Sequence, residues 1–471
     1  MPDRRPNVIV IYTDQQRWDT LGANGNDLIR TPNLDRMAAE GVNFSRSYCT
    51  TPLCTPSRAA FFTGRYNHCN GSYWNGIYVP EEEEDFVGLL KEAGYRTALI
   101  GKDHCFGEER LDRIFDDMRL AHHCVFTPPR NDTQRRVNEV RGDKMQVPMA
   151  EDPFSPEEDI TGRLFRTACE FLADAGDQPF FLWLSIPDPH PPYMVCEPYA
   201  SMYDPADIPP PAWEEGETDN KPYRQQLVVQ WDRYGHEYPG DDIRKLIAIY
   251  WGMVTYIDDG VGGLLDRLAA LGLDEDTILV FTSDHGDYMG DHRMIRKGPH
   301  LYDCLTRVPL IVHWPGRVEP RDTDAMVENI DVMPTLCDLA GVEVHESCQG
   351  RSFRPLLTGE TESHRDMVHL EHGLPGTPLR PGELSEEEYA SLGDSTSHHL
   401  CPTISRGPVK GVRTERWKYC YTPGDVDELY DLEEDPDELH NLADRRECAE
   451  VVQTHRRHIL DWLIRTENSS A

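Results

Sequence analysis

The sequence predicts an α/β protein: parallel strands covered by helices, followed by a smaller α+β unit. Three observations carry this expectation. Strand-length apolar runs alternate with helix-period segments over most of the chain, four of the runs end in polar residues of catalytic type, and after Leu357-Thr358-Gly359 the texture changes to short strand candidates. With 471 residues the chain can bury one large core and still carry a second domain, so the expected units are 1–362 and 363–471.

In chain order, Val8 to Tyr12 is a strand run leading into Thr13-Asp14-Gln15-Gln16, and Pro32 to Glu40 has helical period. A second helical segment, Asp85 to Ala93, precedes the run Thr97 to Ile100, which enters Gly101-Lys102-Asp103-His104. The helical segment Glu158 to Ala173 precedes Phe180 to Leu184, which enters Ser185-Ile186-Pro187-Asp188-Pro189-His190. A long helix from about Asp242 to Leu271 leads to Ile278 to Phe281 and on to Thr282-Ser283-Asp284-His285-Gly286-Asp287. Ligands in open α/β sheets bind beyond the carboxyl ends of parallel strands, so the four polar endings point to one shared edge. The Pro-rich polar stretches 107–157 and 191–241 are too long for simple connections and read as surface insertions bordering the pocket. In the last part Met367 to Leu370, Gly411 to Thr414, Trp417 to Tyr421 and Glu428 to Leu432 are strand candidates, a polar loop over 373–408 is inserted among them, and a terminal helix ends near Ile464.

The formal net charge of −36 disfavours nucleic acid and anionic membranes as partners, because the field of the whole protein repels both. There is no apolar run of membrane-spanning length, and Met1 to Pro6 leads directly into a strand, so the expected location is cytoplasmic. Thirteen cysteines, an odd number without repeating spacing, suggest neither a disulfide framework nor a zinc site.

The stretch Leu53 to Arg65 places Cys54 at the mouth of a short helix, with Pro56 in its first turn and Gly64 at its end. Unpaired amides and the positive end of the helix dipole favour an anion there, and Arg58 adds a charged fork. A cysteine in such a chain is ordinarily a small buried hydrophobe. A cysteine-dependent phosphatase loop needs Arg six positions after Cys, where this chain has Ala60.

Cys54-Thr55-Pro56-Ser57-Arg58, followed by Thr63-Gly64-Arg65, resembles the signature of the sulfatase family. The resemblance implies an alkaline-phosphatase-like α/β sandwich, with a large mixed sheet between helices and a small C-terminal domain completing the pocket. It implies that a maturation enzyme oxidises Cys54 to formylglycine, whose hydrated aldehyde is the nucleophile toward a sulfate ester. It also implies one divalent metal, Ca²⁺ before Mg²⁺ or Mn²⁺, held by Asp14, Gln15, Cys54, Asp284 and His285; many sulfatases have a second Asp where this chain has Gln15. Gly101-Lys102-Asp103-His104 matches the family's Gly-Lys-x-His, while His190 and Lys297 match its substrate-facing His and Lys and Asn75 is a candidate contact to the ester. The implied roles are charge withdrawal by Arg58 and Lys102, a proton for the leaving alcohol from His190 or Lys297, and proton removal by His104. Asp287 and His292 read as supporting or turn residues, and Glu371-His372 stays outside the expected centre. Two alternatives stay open: a phosphonate monoester or phosphodiester hydrolase of the same superfamily, and a non-catalytic binder of sulfate esters. The alcohol half of the substrate, a sugar, choline or aryl group, and the oligomeric state are not specified by these residues.

Overall fold

The computed structural model describes residues 5–122, 125–129, 131–142, 152–231, 241–384 and 402–467. The four runs that end in polar residues are neighbours at the centre of one sheet. Asn7–Thr13 lies between Thr277–Ser283 and Phe180–Ile186, Arg96–Gly101 follows Phe180–Ile186, and all four are parallel. Their registers are level at the carboxyl end: Thr13 is opposite Ser283 and Ile186, and Gly101 is opposite Ser185. The shared edge expected from the sequence is therefore a single row of strand ends.

Alternate residues of these strands feed two apolar layers, as the period of two requires. Val10, Tyr12, Trp183 and Val280 pack on one face with Phe61 and Phe62 of the helix Cys54–Thr63. Ile9, Ile11, Leu182 and Phe281 pack on the other with the helices Ile160–Ala173 and Asp241–Leu271. Both faces being covered explains why these strands read as continuous apolar runs rather than as alternating ones.

The nine-stranded sheet extends beyond the predicted four. Leu310–His313 and Val42–Phe44 add antiparallel pairings on one side, followed by Arg321–Thr323. On the other side Asp117–His122 joins in parallel and Val125–Phe126 closes the edge. The stretch 107–157 is thus not only a surface insertion, because part of it completes the sheet and its helix Asp132–Gly142 brings Arg141 into full burial. The stretch 191–241 likewise sends Tyr193, Val195 and Leu227 into apolar clusters. Residues 143–151 and 232–240 of these two stretches lie outside the described residues, as do 385–401 of the expected polar loop.

The predicted helices form with small shifts at their ends: Pro32–Glu40, Phe86–Glu92 with Asp85 as its cap, Ile160–Ala173 and Asp241–Leu271. The C-terminal sheet is antiparallel, in the order Val368–His372, Val409–Arg413, Trp417–Tyr421 and Glu428–Asp431, and the helix Ala449–Glu467 packs on it. It is tied to the large sheet's side by Lys418 Nζ, 2.8 Å from Asp303 Oδ1, and by the Glu371 amide, which donates to the Thr50 carbonyl at 2.8 Å. No helix among the described residues is long and apolar enough to cross a membrane.

Candidate active site

Cys54 opens a ten-residue helix that is buried along its whole length. Its carboxyl end is closed by Gly64 in the left-handed region (φ 64°), where a Cβ would sit 2.7 Å from Cys348 Sγ. At the other end Asn75 caps the helix from outside: its Oδ1 accepts from the Thr55 amide at 3.0 Å. The nucleophile candidate thus stands at a helix start held from both ends.

Asp14, Cys54, Asp284 and His285 converge there, with one ligand atom from each lying within 4.8 Å of all the others. Cys54 Sγ is 3.4 Å from His285 Nε2 and 3.7 Å from Asp14 Oδ1. His285 Nδ1 is 2.8 Å from the Gly286 carbonyl, which accepts its proton and turns Nε2 toward the centre; against the downward push of burial, Asp284 raises the ring above its ordinary value, so Nε2 carries a proton that a bound cation would displace. Two carboxylates, an imidazole nitrogen and the Cys54 position make a donor set that fits one divalent cation. Gln15 is joined to the centre differently. Its Oε1 accepts from Lys297 Nζ at 2.7 Å and its Nε2 donates to Asp287, while its backbone amide donates to Asp284 Oδ1 at 2.9 Å.

Arg58 is the cross-brace. Nε donates to Asp284 Oδ2 at 3.0 Å, one terminal nitrogen reaches Asp14 Oδ2 at 3.3 Å, and the other donates to Ser185 Oγ at 2.8 Å and to the Lys102 carbonyl at 3.2 Å. The guanidinium also lies 5.1 Å from the centre of the Tyr12 ring. One side chain therefore joins the ends of all four central strands. Its donors are committed to these partners, so its charge acts first on the two carboxylates. Lys102 Nζ bonds Asp14 Oδ2. The preceding Gly101 makes this turn possible, having φ of 114° at a place where a Cβ would meet the Ser185 carbonyl oxygen at 1.8 Å.

Electrostatics at the centre reverses the sign of the whole protein. Burial and Asp14 push the Cys54 thiol up, but Lys102, Lys297 and His285 outweigh them and bring it down to about 6. Burial pushes the Asp14 carboxyl up, and Lys102, with Arg58 and Lys297, holds it well below its usual range. Burial, Lys102 and Arg58 drive His104 down to about 2, and burial with Lys297 drives His190 well below the ordinary histidine value. His104 and His190 thus share this centre as neutral rings. His190 Nδ1 is 2.7 Å from the Pro191 carbonyl.

Several supports were not visible as site residues in the sequence. Asp188 anchors the His190 loop: it accepts from Thr161 Oγ1 at 2.6 Å and lies 3.4 Å from Arg141, which also pairs with Asp152 and Asp159 at 2.7 Å. Asn329 Nδ2 donates to the Ser57 carbonyl at 3.0 Å, and Ser57 Oγ donates to the Asp284 carbonyl. Asp287 accepts from Tyr193 at 2.6 Å and from Gln15, so it steadies Gln15 rather than joining the four-ligand group. His292 pairs with Glu217 at 3.0 Å and stacks on Tyr302, outside that group. Of these, Ser57 lies within the signature and Asp188 in the polar ending of a predicted strand; Asn329, Thr161 and Arg141 had no local mark.

The chain resembles known proteins over most of its length. The chain is 29% identical over 488 residues to the arylsulfatase of Clostridium perfringens, covering 98% of this chain and 94% of that one. It is 28% identical over 459 residues to the choline-sulfatase of Rhizobium meliloti, covering 94% and 83%. The phosphonate monoester hydrolase SpPMH from Silicibacter pomeroyi superposes with a TM-score of 0.82 at 26% identity, covering 99% of this chain and 96% of that one. The family model described as Sulfatase matches residues 6–342. With that match over most of its length, the chain belongs to the sulfatase family and is an enzyme of that hydrolase class.

Proposed function

We propose that this enzyme cleaves a sulfate monoester with Cys54, in its formylglycine form, as the nucleophile. The observation that carries the reading is the convergence of Cys54 with Asp14, Asp284 and His285 at the start of a helix whose thiol is drawn down to about 6 by the surrounding cations. In its modified form residue 54 would supply a hydrated aldehyde whose hydroxyl attacks sulfur in line, and the chemistry a divalent cation, Ca²⁺ in our reading, would supply when bound here is Lewis-acid polarisation of the sulfuryl oxygens. Asp14, Asp284, His285 and residue 54 would hold that cation, and Gln15 Oε1 has a second lone pair to offer it beside the one given to Lys297.

The remaining work falls to the chain's own side chains. Arg58 fixes both carboxylates, so that they do not repel each other or the ester. Lys102 and Lys297 stand at the same centre and balance the negative charge that grows on the sulfuryl oxygens. His104, held neutral, takes the proton of residue 54's second hydroxyl, so that the aldehyde re-forms, its C–O bond to the sulfuryl group breaks, sulfate leaves and water restores the hydrate. The departing alcohol receives its proton from His190 or Lys297; the anionic ester offsets the push that keeps His190 neutral. Asn75, whose Oδ1 is occupied by the Thr55 amide, has its amide nitrogen to offer the ester.

A phosphonate monoester hydrolase shares this architecture, as SpPMH shows, and remains the second reading. Lys102 and His104 favour sulfate, because Gly101-Lys102-Asp103-His104 matches the Gly-Lys-x-His that sulfatases carry. Peptide mass spectrometry of the segment around Cys54, made in a host with maturation machinery, tests the proposal. Formylglycine at residue 54, together with hydrolysis of nitrophenyl sulfate faster than of a phenyl phosphonate monoester, is the expected result. A fully active enzyme with an unmodified thiol would remove the proposed nucleophile.

A further inference from the structure

Between the end of the strand Val368–His372 and the segment around Tyr73 lies a cavity of about 330 Å³. This is within the roughly 300–1,000 Å³ typical of small-molecule sites. Its floor belongs to the support of the nucleophile. Thr51 donates to Asn67 at 2.7 Å, and Asn67 Nδ2 donates at 2.8 Å to the carbonyl of Pro56, in the first turn of the Cys54 helix. Its wall is His372, 5% exposed and edge-on to Trp74 at 5.9 Å, and Trp74 adjoins Asn75, the cap of that helix. The cavity and the nucleophile therefore share one set of supports.

The chemistry of the lining is specific. The His372 ring makes no hydrogen bond among the described residues, and its Nδ1 is buried without a partner. Burial, with Arg224 and His285 nearby, drives its ring down to about 3, so it offers one donor and one acceptor and no charge. Tyr73, Pro375 and Pro408 supply carbon surface. The charged groups of the lining are already matched: Glu371 pairs with Lys410 and, at 3.0 Å, with His68. A second anionic group would want an unmatched cation, whereas a hydroxyl, itself donor and acceptor, suits a neutral imidazole. Choline would want an aromatic cage, of which this cavity provides one ring.

We propose that this cavity receives the alcohol half of the ester and that the alcohol is a sugar, its carbon face against Tyr73 and its hydroxyl on His372. The inference rests on the reading of Cys54 as nucleophile, but its test does not need turnover. Cys54→Ala protein is titrated calorimetrically with glucose sulfated at its primary hydroxyl and with choline sulfate. The sugar ester binds more tightly, and adding His372→Ala or Tyr73→Ala weakens it roughly tenfold more than it weakens choline sulfate, as the loss of one hydrogen bond or one stacking face implies. His372→Gln, which keeps a donor and an acceptor, recovers part of the sugar affinity. Equal weakening of both esters, tighter binding of choline sulfate, or no change for either overturns the assignment. If the titration shows the difference but matured wild-type enzyme hydrolyses no sulfate ester, the proposed reaction falls and the sugar site stands.

Discussion

The centre around Cys54 and the cavity beside His372 use the same residue types under opposite constraints. At the centre, Asp14, Arg58, Lys102, Asp284 and His285 are fully buried, and their charges are cross-paired between parallel strand ends. Removing one partner there strands another in a medium that cannot solvate it. In the cavity the ion pair of Glu371 and Lys410 is partly open to water, and His372 is neutral. The chemistry sits where the backbone is over-determined by strands on both sides. The recognition surface sits on a sheet end and a helix-capping segment.

Variants can sharpen that contrast. The largest effect is expected for Arg58→Ala, which leaves Asp14 and Asp284 unpaired. It should cost about 3–5 kcal/mol of stability and abolish turnover, with part of the stability regained on adding a divalent cation. Denaturant unfolding with and without Ca²⁺ reads this, and a variant as stable as wild type in chelator would show that the brace is dispensable.

His190→Ala should lower kcat/KM on a sugar sulfate by about 10²–10⁴ and much less on nitrophenyl sulfate, whose leaving group needs no proton. Thr161→Val, which removes a hydrogen bond from Asp188 and loosens the same loop, should show a weaker version of the same split. A series of esters of graded leaving-group acidity measures both, and a steeper slope for Lys297→Ala than for His190→Ala would transfer the acid role to Lys297.

Lys102→Ala should cost about 10²–10³ in kcat/KM on every ester alike, since it acts on the sulfuryl group and not on the alcohol. Near-normal activity would reduce Lys102 to a partner of Asp14.

The smallest effect belongs to the cavity side. Glu371 more than offsets the burial of His68 and raises that ring from 6.5 to about 9. A histidine raised in the folded state stabilises fully below its unfolded value and loses that contribution as pH rises through the folded one. Wild-type stability should therefore fall between about pH 6.5 and 9 by on the order of 1 kcal/mol after solvent screening. His68→Gln should flatten this part of the profile, and an unchanged slope in the variant would assign it elsewhere.

The sequence by itself specified the four central strands, their helices and the chemistry at their ends, because each signal is local. A continuous apolar run, a proline in a first turn and a polar ending lie within a few residues of one another. Asp14, Arg58, Lys102 and Asp284 could be assigned to one edge for this reason, before any distance was known. Other features only the tertiary structure decided. The strand Asp117–His122, Asp-Met-Arg-Leu-Ala-His, is polar enough to pass for a loop and is a strand only because Arg96–Gly101 offers it a partner. Arg141 lies in a helix whose sequence reads as solvated, and three carboxylates from distant segments make its burial tolerable. Asn75 became the cap of the Cys54 helix through a contact across twenty residues, and Gln15 is held by Lys297 and Asp287 through contacts across 282 and 272 residues. Periodicity and turn chemistry act over one or two turns of chain; the pairing of buried polar groups is settled by whichever partners the folded chain brings within hydrogen-bond reach.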